Sequence, residues 1–138
     1  MPLQVAQRDV ESIIIVDLEG RLVVGPDLAD IRRTFEQLAA QNSNRLILNL
    51  RDVDYIDSTG LGMLVIGHSM AKDSGGAMKL LHLSKRCAEL LVLTKLATVF
   101  EIFDDEQSAI NSFFPDREIR RFDVLEFVKG QSGDPPKS

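Results

Sequence analysis

Short apolar runs alternate along the chain with longer segments in which apolar and polar residues are mixed. Runs rich in β-branched residues predict strands, and near-continuous apolarity predicts a strand that is buried on both faces. Residues 45–50 have this second pattern. Strands are therefore predicted at residues 13–18, 45–50 and 77–83, with a short first strand around Val5 and a further candidate at 99–103.

The segments between these runs have the spacing of amphipathic helices. Pro26 and Asp27 open the first helix, in which apolar residues from Leu28 to Leu38 recur every three or four positions. The second helix, residues 58–72, is unusually apolar for a surface helix. A third helix is predicted after the cap residue Ser84, and a fourth runs from residues 104–105 to Pro115.

Strands that alternate with helices predict a layered α/β or α+β fold. We expect one domain over residues 1–114 and a C-terminal extension over residues 115–138. Within that extension, residues 120–129 suit either a helix or an edge strand. Residues 130–138 are rich in glycine, serine and proline, which predicts disorder.

Composition and charge narrow the classes of partner. The chain has 138 residues, of which 44% are hydrophobic, and a formal net charge of -5. An acidic chain without a clustered basic face argues against nucleic acid or an anionic membrane as the main partner. A single cysteine, Cys87, excludes an internal disulfide. With no signal-peptide pattern at the start and no apolar run of membrane-spanning length, the expected compartment is the cytoplasm.

The sequence Asp-Ser-Thr-Gly-Leu-Gly at residues 57–62 is the strongest candidate for chemistry. It follows the predicted strand at 45–50 and a short acidic loop at 52–56, and it precedes the second helix. A helix N-terminus offers free N–H groups and partial positive charge. A hydroxyl at this point can cap the helix, act as a nucleophile or accept a phosphoryl group.

Several enzymatic interpretations lack the residues that they need. Ser58 lacks the preceding glycine of a nucleophile elbow, and His68 would lie about 15 Å away along the same helix. An aspartic protease needs a second carboxylate motif, and the chain has one copy with an extra residue before Gly60. Asp52 and Asp54 resemble a phosphatase nucleophile loop only faintly, and turn formation explains them better.

Cofactor and metal sites are also unsupported. Gly60-Leu61-Gly62 continues into neither a dinucleotide-binding nor a phosphate-binding glycine loop. His68 and His82 are far apart in sequence, so neither predicts a metal site. Two interpretations of Ser58 and Thr59 therefore stay open: helix capping and phosphate acceptance. The local glycine density is not explained by capping, and it suggests close approach of another backbone.

At these residues the chain resembles the STAS domain family, and within it the single-domain bacterial anti-sigma factor antagonists. The matching stretch is residues 46–67, and the overall likeness covers roughly residues 4–114. The resemblance implies a small mixed β-sheet with about four helices packed mainly on one side. It also implies a non-enzymatic regulatory module that needs no cofactor and is found in the cytoplasm.

The family resemblance also assigns roles to residues. It implies that Ser58 is phosphorylated, with Thr59 as the second choice, by a serine kinase of the histidine-kinase-like ATPase type that is also the anti-sigma factor. The unphosphorylated form binds this kinase, the phosphorylated form releases it, and a serine phosphatase resets the cycle. The implied partner-binding residues are Asp54, Asp57, Ser58, Thr59, Gly60, Leu61 and Gly62.

One position departs from the family pattern. Many antagonists carry an acidic residue three positions after the glycine that ends the second strand, whereas this chain has Val23 after Gly20. A charged partner contact is therefore expected to be missing or moved. This departure keeps open an alternative function, a STAS scaffold module that assembles signalling proteins without a phosphate switch.

Overall fold

The computed structural model describes residues 3–130 and contains a single five-stranded sheet with helices on both faces. The strands are β1 (Gln4–Val10), β2 (Ile13–Leu22), β3 (Arg45–Ile56), β4 (Ala77–Leu81) and β5 (Ile102–Phe103). The helices are α1 (Pro26–Ala40), α2 (Ser58–Asp73), α3 (Lys85–Leu93), α4 (Glu106–Asn111) and α5 (Val124–Gly130), with a 3-10 turn at Leu96–Thr98.

The sheet is mixed, and its spatial order follows the chain: β1-β2-β3-β4-β5. β1 and β2 form an antiparallel hairpin, whereas β2, β3, β4 and β5 are parallel. Parallel neighbours need a crossover connection, which α1, α2 and α3 provide. This arrangement confirms the predicted mixed sheet, and it brings the C-terminal ends of β2, β3 and β4 to one edge.

The two faces of the sheet bury different amounts of apolar surface. The larger core lies under α1, α2 and α3, and its centre includes Leu48, Leu64 and Leu80. A smaller cluster lies on the opposite face and includes Ile15, Ile47 and Ile110, the last from α4. The helices therefore pack mainly on one side, as expected, and the exception is α4.

β3 is longer than predicted, and the acidic segment at 52–56 is strand rather than loop. Val53 and Ile56 are buried, and the strand pairs with β2 as far as the partners Leu22 and Ile56. β2 likewise continues past Gly20, with irregularities in the register on either side of that residue. The polar side chains of this segment point outward, so the sequence resembled a loop although the backbone pairs.

The predicted strand at 99–103 was too long, since only Ile102 and Phe103 pair with β4. The chain forms the 3-10 turn shortly before this strand. Phe100 is buried in the main core although it belongs to neither element. The apolar character of the run therefore reflects packing of Phe100 in the main core rather than a full strand.

Of the ambiguous residues 120–129, the first four are irregular and the rest belong to α5, which packs against α3. Three apolar residues of α5, Val124, Phe127 and Val128, contact the main core together with Phe122 just before the helix, yet each remains only half-buried. Leu125 is exposed. Whether the domain ends at residue 114 stays a prediction. The expected disorder at 130–138 lies outside the described residues except for Gly130, which ends α5.

No helix within residues 3–130 combines the length and the apolarity that crossing a bilayer requires.

Candidate functional site

Asp57 is the N-cap of α2, and its carboxylate bonds to two backbone segments. One oxygen accepts a hydrogen bond from the Gly60 N–H at 2.8 Å, and the other accepts from the Val24 N–H at 2.9 Å. These two bonds, with the Gly60 bond the stronger influence, lower the pKa of Asp57 below its usual value. Asp57 is therefore ionised at neutral pH and connects the start of α2 to the loop between β2 and α1.

The backbone at the start of α2 also contacts the end of β2 directly. The Asp57 N–H donates to the Leu22 carbonyl at 3.0 Å. A Cβ built on Gly60 would lie 2.1 Å from that same carbonyl oxygen, so no other residue fits at this position. The close backbone approach predicted from the glycine density is thus made by this chain's own β2.

Gly62 differs from Gly60, because a Cβ there would meet nothing within 4 Å. The residue is exposed in the second turn of α2. Glycine inside a helix costs roughly 0.5–1 kcal/mol relative to alanine. Internal packing therefore does not explain Gly62, and this exposed backbone is open to a partner.

Ser58 and Thr59 are exposed at the first two positions of α2. Asp57 performs the capping, so neither hydroxyl is needed for it. Within residues 3–130 neither side chain forms a hydrogen bond. The structure thus removes capping as the role of Ser58 and leaves its hydroxyl free to react.

The remaining residues predicted to bind a partner divide by exposure. Gly60 and Leu61 are buried, so they position the helix and present little surface. Ser58 and Gly62 are four residues apart and share one face of α2. The exposed members of the predicted site are Asp54, Ser58, Thr59 and Gly62, and together they are called the α2 surface below.

Two features near the α2 surface were not predicted from the sequence, and the first is a group of contacts around an aromatic ring. The Tyr55 ring lies 5.5 Å from the guanidinium of Arg21 and 5.7 Å from that of Arg86. These distances are typical of cation–π contacts. Arg21 and Tyr55 are partners on the neighbouring strands β2 and β3, and Arg86 lies on α3, which packs beside them. The three side chains come together only through this tertiary arrangement.

Val24 is the second residue that sequence reasoning missed. Its side chain is 69% exposed, while its backbone N–H is held by Asp57. Val23, at the position where an acidic residue was expected, is half-buried. The loop therefore presents the apolar side chain of Val24 beside the α2 surface. The signal in the sequence was the unbroken apolar stretch Leu22-Val23-Val24, ending at Gly25.

The residues considered for other chemistries do not converge. Asp52 is exposed on β3, and within residues 3–130 no group of three or more potential metal ligands is found. His68 packs edge-on against Phe100, with ring centroids 5.3 Å apart. His82 lies beside Arg51 with 3.3 Å between nitrogens, and burial followed by this positive charge lowers its pKa. Neither histidine therefore belongs to a shared site, although the buried Nδ1 of His68 has no hydrogen-bond partner among the described residues.

Comparison with known proteins gives a consistent result. The family model described as "STAS domain" matches residues 4–109. The "Anti-sigma-B factor antagonist" of Bacillus subtilis is 35% identical over 102 residues, which is 74% of this chain and 92% of that protein. The sequence match therefore extends over nearly the whole relative, and the family match ends at residue 109 of this chain.

Solved structures agree on the fold. A candidate anti-sigma factor antagonist from Thermotoga maritima has a TM-score of 0.76 at 23% identity, covering 80% of this chain and 95% of that one. The Bacillus cell fate determinant SpoIIAA in its phosphorylated form has a TM-score of 0.63 at 19% identity, covering 80% and 97%. The resemblance stated from the sequence motif is thereby confirmed at the level of family and fold.

Proposed function

This chain belongs to the STAS domain family, and from that premise we propose that it is an anti-sigma factor antagonist switched by phosphorylation of Ser58. In its unphosphorylated form it binds an anti-sigma factor that is also a serine kinase of the histidine-kinase-like ATPase type. Phosphorylation ends that binding, and a serine phosphatase restores it. The module itself carries out no catalysis and acts in the cytoplasm.

The observation that carries the proposal is the free hydroxyl of Ser58. It lies exposed at the first position of α2, and the cap beside it is Asp57. A kinase can therefore modify Ser58 without removing a hydrogen bond on which the helix depends. The positive end of the α2 dipole also favours an anionic group at this position, so the fold can accept a phosphate.

The charge of the surroundings explains how a phosphate would end binding. A phosphoserine carries about -1.5 to -2 charges at neutral pH. Asp57 precedes Ser58 directly, and Asp54 is exposed at the end of β3. A phosphate at Ser58 would thus concentrate like charge on a surface that otherwise offers a hydroxyl and bare backbone at Gly62. A loss of about 3 kcal/mol in binding free energy corresponds to more than a hundredfold in affinity.

The relatives support the same type of partner. The Bacillus subtilis relative is named an antagonist of an anti-sigma factor, and SpoIIAA is known in a phosphorylated form. An antagonist of this kind acts by occupying its partner, so its essential feature is a switchable surface. The α2 surface, with the exposed Val24 next to it, is the candidate for that contact.

The first test is phosphorylation in vitro. The purified chain is incubated with a histidine-kinase-like ATPase from the same genome and ATP, and the intact mass is measured. We expect a gain of one phosphoryl group in wild type and in Ser84→Ala, and no gain in Ser58→Ala. Ser84 is the matched control because its hydroxyl is occupied as the cap of α3. An equal gain in Ser58→Ala and none in Thr59→Ala would move the acceptor to Thr59.

The second test is binding of the same kinase by calorimetry. We expect the phosphorylated chain to bind at least about a hundredfold more weakly than the unphosphorylated chain. Gly62→Ala should weaken binding while leaving the fold intact, because its added methyl group meets nothing internally. Equal affinity of the phosphorylated and unphosphorylated forms would contradict the switch.

The alternative function is a scaffold module without a phosphate switch, and Val24 favours it. An exposed apolar side chain on the β2–α1 loop can bind a partner whatever the charge at Ser58. Under this alternative, Val24→Asp would abolish kinase binding, whereas phosphorylation of Ser58 would leave the affinity unchanged. Under the switched function, both changes weaken binding.

A further inference from the structure

An open cleft of about 1060 Å³ lies between the sheet edge and the segment that leads into α5. One wall comes from the core and includes Phe100 and Ile102, which are both buried. The opposite wall comes from residues 119–125 and includes Phe122 and Val124. Ligand pockets are typically concave, largely apolar and of roughly this volume.

The outer wall of this cleft lies beyond the part of the chain that matches the family. That match ends at residue 109, and the relatives are covered almost completely by the shared part. The segment is attached to the domain by its backbone, since the Arg120 N–H donates to the buried Ser108 hydroxyl at 2.8 Å. The cleft is therefore an addition to the STAS domain.

Two acidic and two basic side chains line the cleft, and each of the acidic ones has a contact of its own. Glu101 pairs with Lys79 at 3.0 Å, and Asp123 caps α5 through a 3.1 Å hydrogen bond. Lys95 and Arg121 also line the cleft, and within residues 3–130 neither side chain forms an ion pair or a hydrogen bond. Two cations without partners thus face an apolar cleft whose acids are already occupied.

The backbone at Lys95 gives an independent reason to look for a role of its side chain. Lys95 follows α3 with φ of 67°, in the left-handed region. Glycine is the residue favoured just past the end of a helix in this conformation, and other side chains are strained there. Glycine would suit this backbone better than the lysine that is present, and the lysine lines the cleft.

We propose that this cleft binds a small amphipathic anion, an acyl chain with a carboxylate head group. The apolar walls would take the chain out of water, which is favourable in proportion to the area buried. Lys95 and Arg121 would bind the carboxylate, Arg121 with the two-pronged geometry that guanidinium offers. The site is separate from the α2 surface, so the proposal goes beyond the partner switch.

The test is titration of the full chain with dodecanoate below its micellar concentration, followed by calorimetry. We expect saturable binding of one dodecanoate per chain. Arg121→Gln and Lys95→Ala should each weaken the affinity at least fivefold, and dodecanol should bind more weakly than dodecanoate. Arg33→Gln removes an equal charge from α1, away from the cleft, and should leave the affinity unchanged.

Two glycine substitutions distinguish the contribution of the Lys95 side chain from that of its backbone conformation. Lys95→Gly should maintain or raise the thermal midpoint because glycine suits the positive φ, yet it should weaken dodecanoate binding at least fivefold. Asn42→Gly is the matched control, since Asn42 has φ of 60° at the end of α1, outside the cleft. It should leave dodecanoate binding unchanged.

Three results would overturn the proposal. The first is the absence of saturable dodecanoate binding, and the second is an unchanged affinity in Lys95→Ala and Arg121→Gln. The third is a concentration-dependent dimer, measured by light scattering, that Leu125→Glu dissolves. Leu125 is 54% exposed on the cleft wall, so such a dimer would show that the cleft is an interface between copies of this chain.

Discussion

The N-termini of α2 and α3 use the same residue types but leave different groups free. At α3, Ser84 is the cap, and its hydroxyl accepts a hydrogen bond from the Cys87 N–H at 3.1 Å. At α2, the Asp57 carboxylate takes that role and the following Ser58 remains exposed without a bond. A serine near a helix start is therefore available for modification only where another residue caps the helix.

The two helix starts also differ in how firmly they are attached to the sheet. Asp57 bonds to Val24 as well as to Gly60, and its N–H donates to the Leu22 carbonyl. The proposed acceptor at Ser58 thus follows a residue held by three hydrogen bonds, two of them to the β2 end and its loop. A phosphoacceptor on a rigid element allows the switch to act through charge rather than through a change of shape.

Gly60 and Gly62 in α2 differ in what surrounds them, and Gly60→Ala is expected to have the largest effect on stability. The added Cβ would lie 2.1 Å from the Leu22 carbonyl oxygen, so the start of α2 must move away from β2. We expect a loss of about 3 kcal/mol in the free energy of unfolding, measured by urea denaturation. Gly62→Ala is the matched control and should stabilise the chain by up to about 1 kcal/mol. Equal losses in the two variants would show that the close approach at Gly60 is not what constrains the helix.

The two caps should differ in their contribution to stability. Ser84→Ala removes the acceptor of one backbone N–H, and such a change typically costs about 1 kcal/mol. Asp57→Ala removes the acceptor of two N–H groups, at Gly60 and Val24, and should cost more. Urea denaturation of both variants measures the order. A smaller loss for Asp57→Ala would mean that its bond to the loop contributes nothing.

The Asp57 cap should also depend on pH, whereas the Ser84 cap should not. The fold lowers the pKa of Asp57, mainly through the Gly60 N–H, so the ionised carboxylate stabilises the native state. That contribution is complete above the carboxyl's ordinary pKa of about 4 and is lost as the pH falls through the lowered, native value. The difference in unfolding free energy between wild type and Asp57→Asn should therefore shrink below about pH 4.

A control for this pH dependence is Asp105, the cap of α4, whose pKa is lowered mainly by the Ser108 N–H. Asp105→Asn should show the same convergence with wild type at low pH. If the Asp57→Asn difference stayed constant from neutral pH to about pH 3, the ionised carboxylate would not be the stabilising form.

The sequence predicted the helix starts well because their signals are local. The start of α2 at Ser58 and the cap role of Ser84 agree with the structure. It could not decide which of the residues Asp57, Ser58 and Thr59 caps α2, since each type caps well. Long-range bonds to Leu22 and Val24 make that choice, and a single sequence does not contain them.

The length of β3 and the place of α5 were missed for the same physical reason. Asp52 and Asp54 have the composition of a loop, and only pairing with β2 keeps their backbone extended. Residues 120–129 suited a helix or an edge strand, and contact with α3 accompanies the helix that forms from Val124 onward. Partly exposed segments depend on tertiary contacts that local propensity does not specify.

The smallest effect is expected from Ser58→Ala, and it is the most informative about function. Ser58 is exposed and bonded to no described residue, so its loss should change the free energy of unfolding by less than about 0.5 kcal/mol. Ser84→Ala, at the equivalent helix start, should cost more because that hydroxyl is a cap. A loss of stability in Ser58→Ala equal to that in Ser84→Ala would restore capping as the role of Ser58. A stable Ser58→Ala that the kinase no longer phosphorylates would mean that the hydroxyl serves the switch and not the fold.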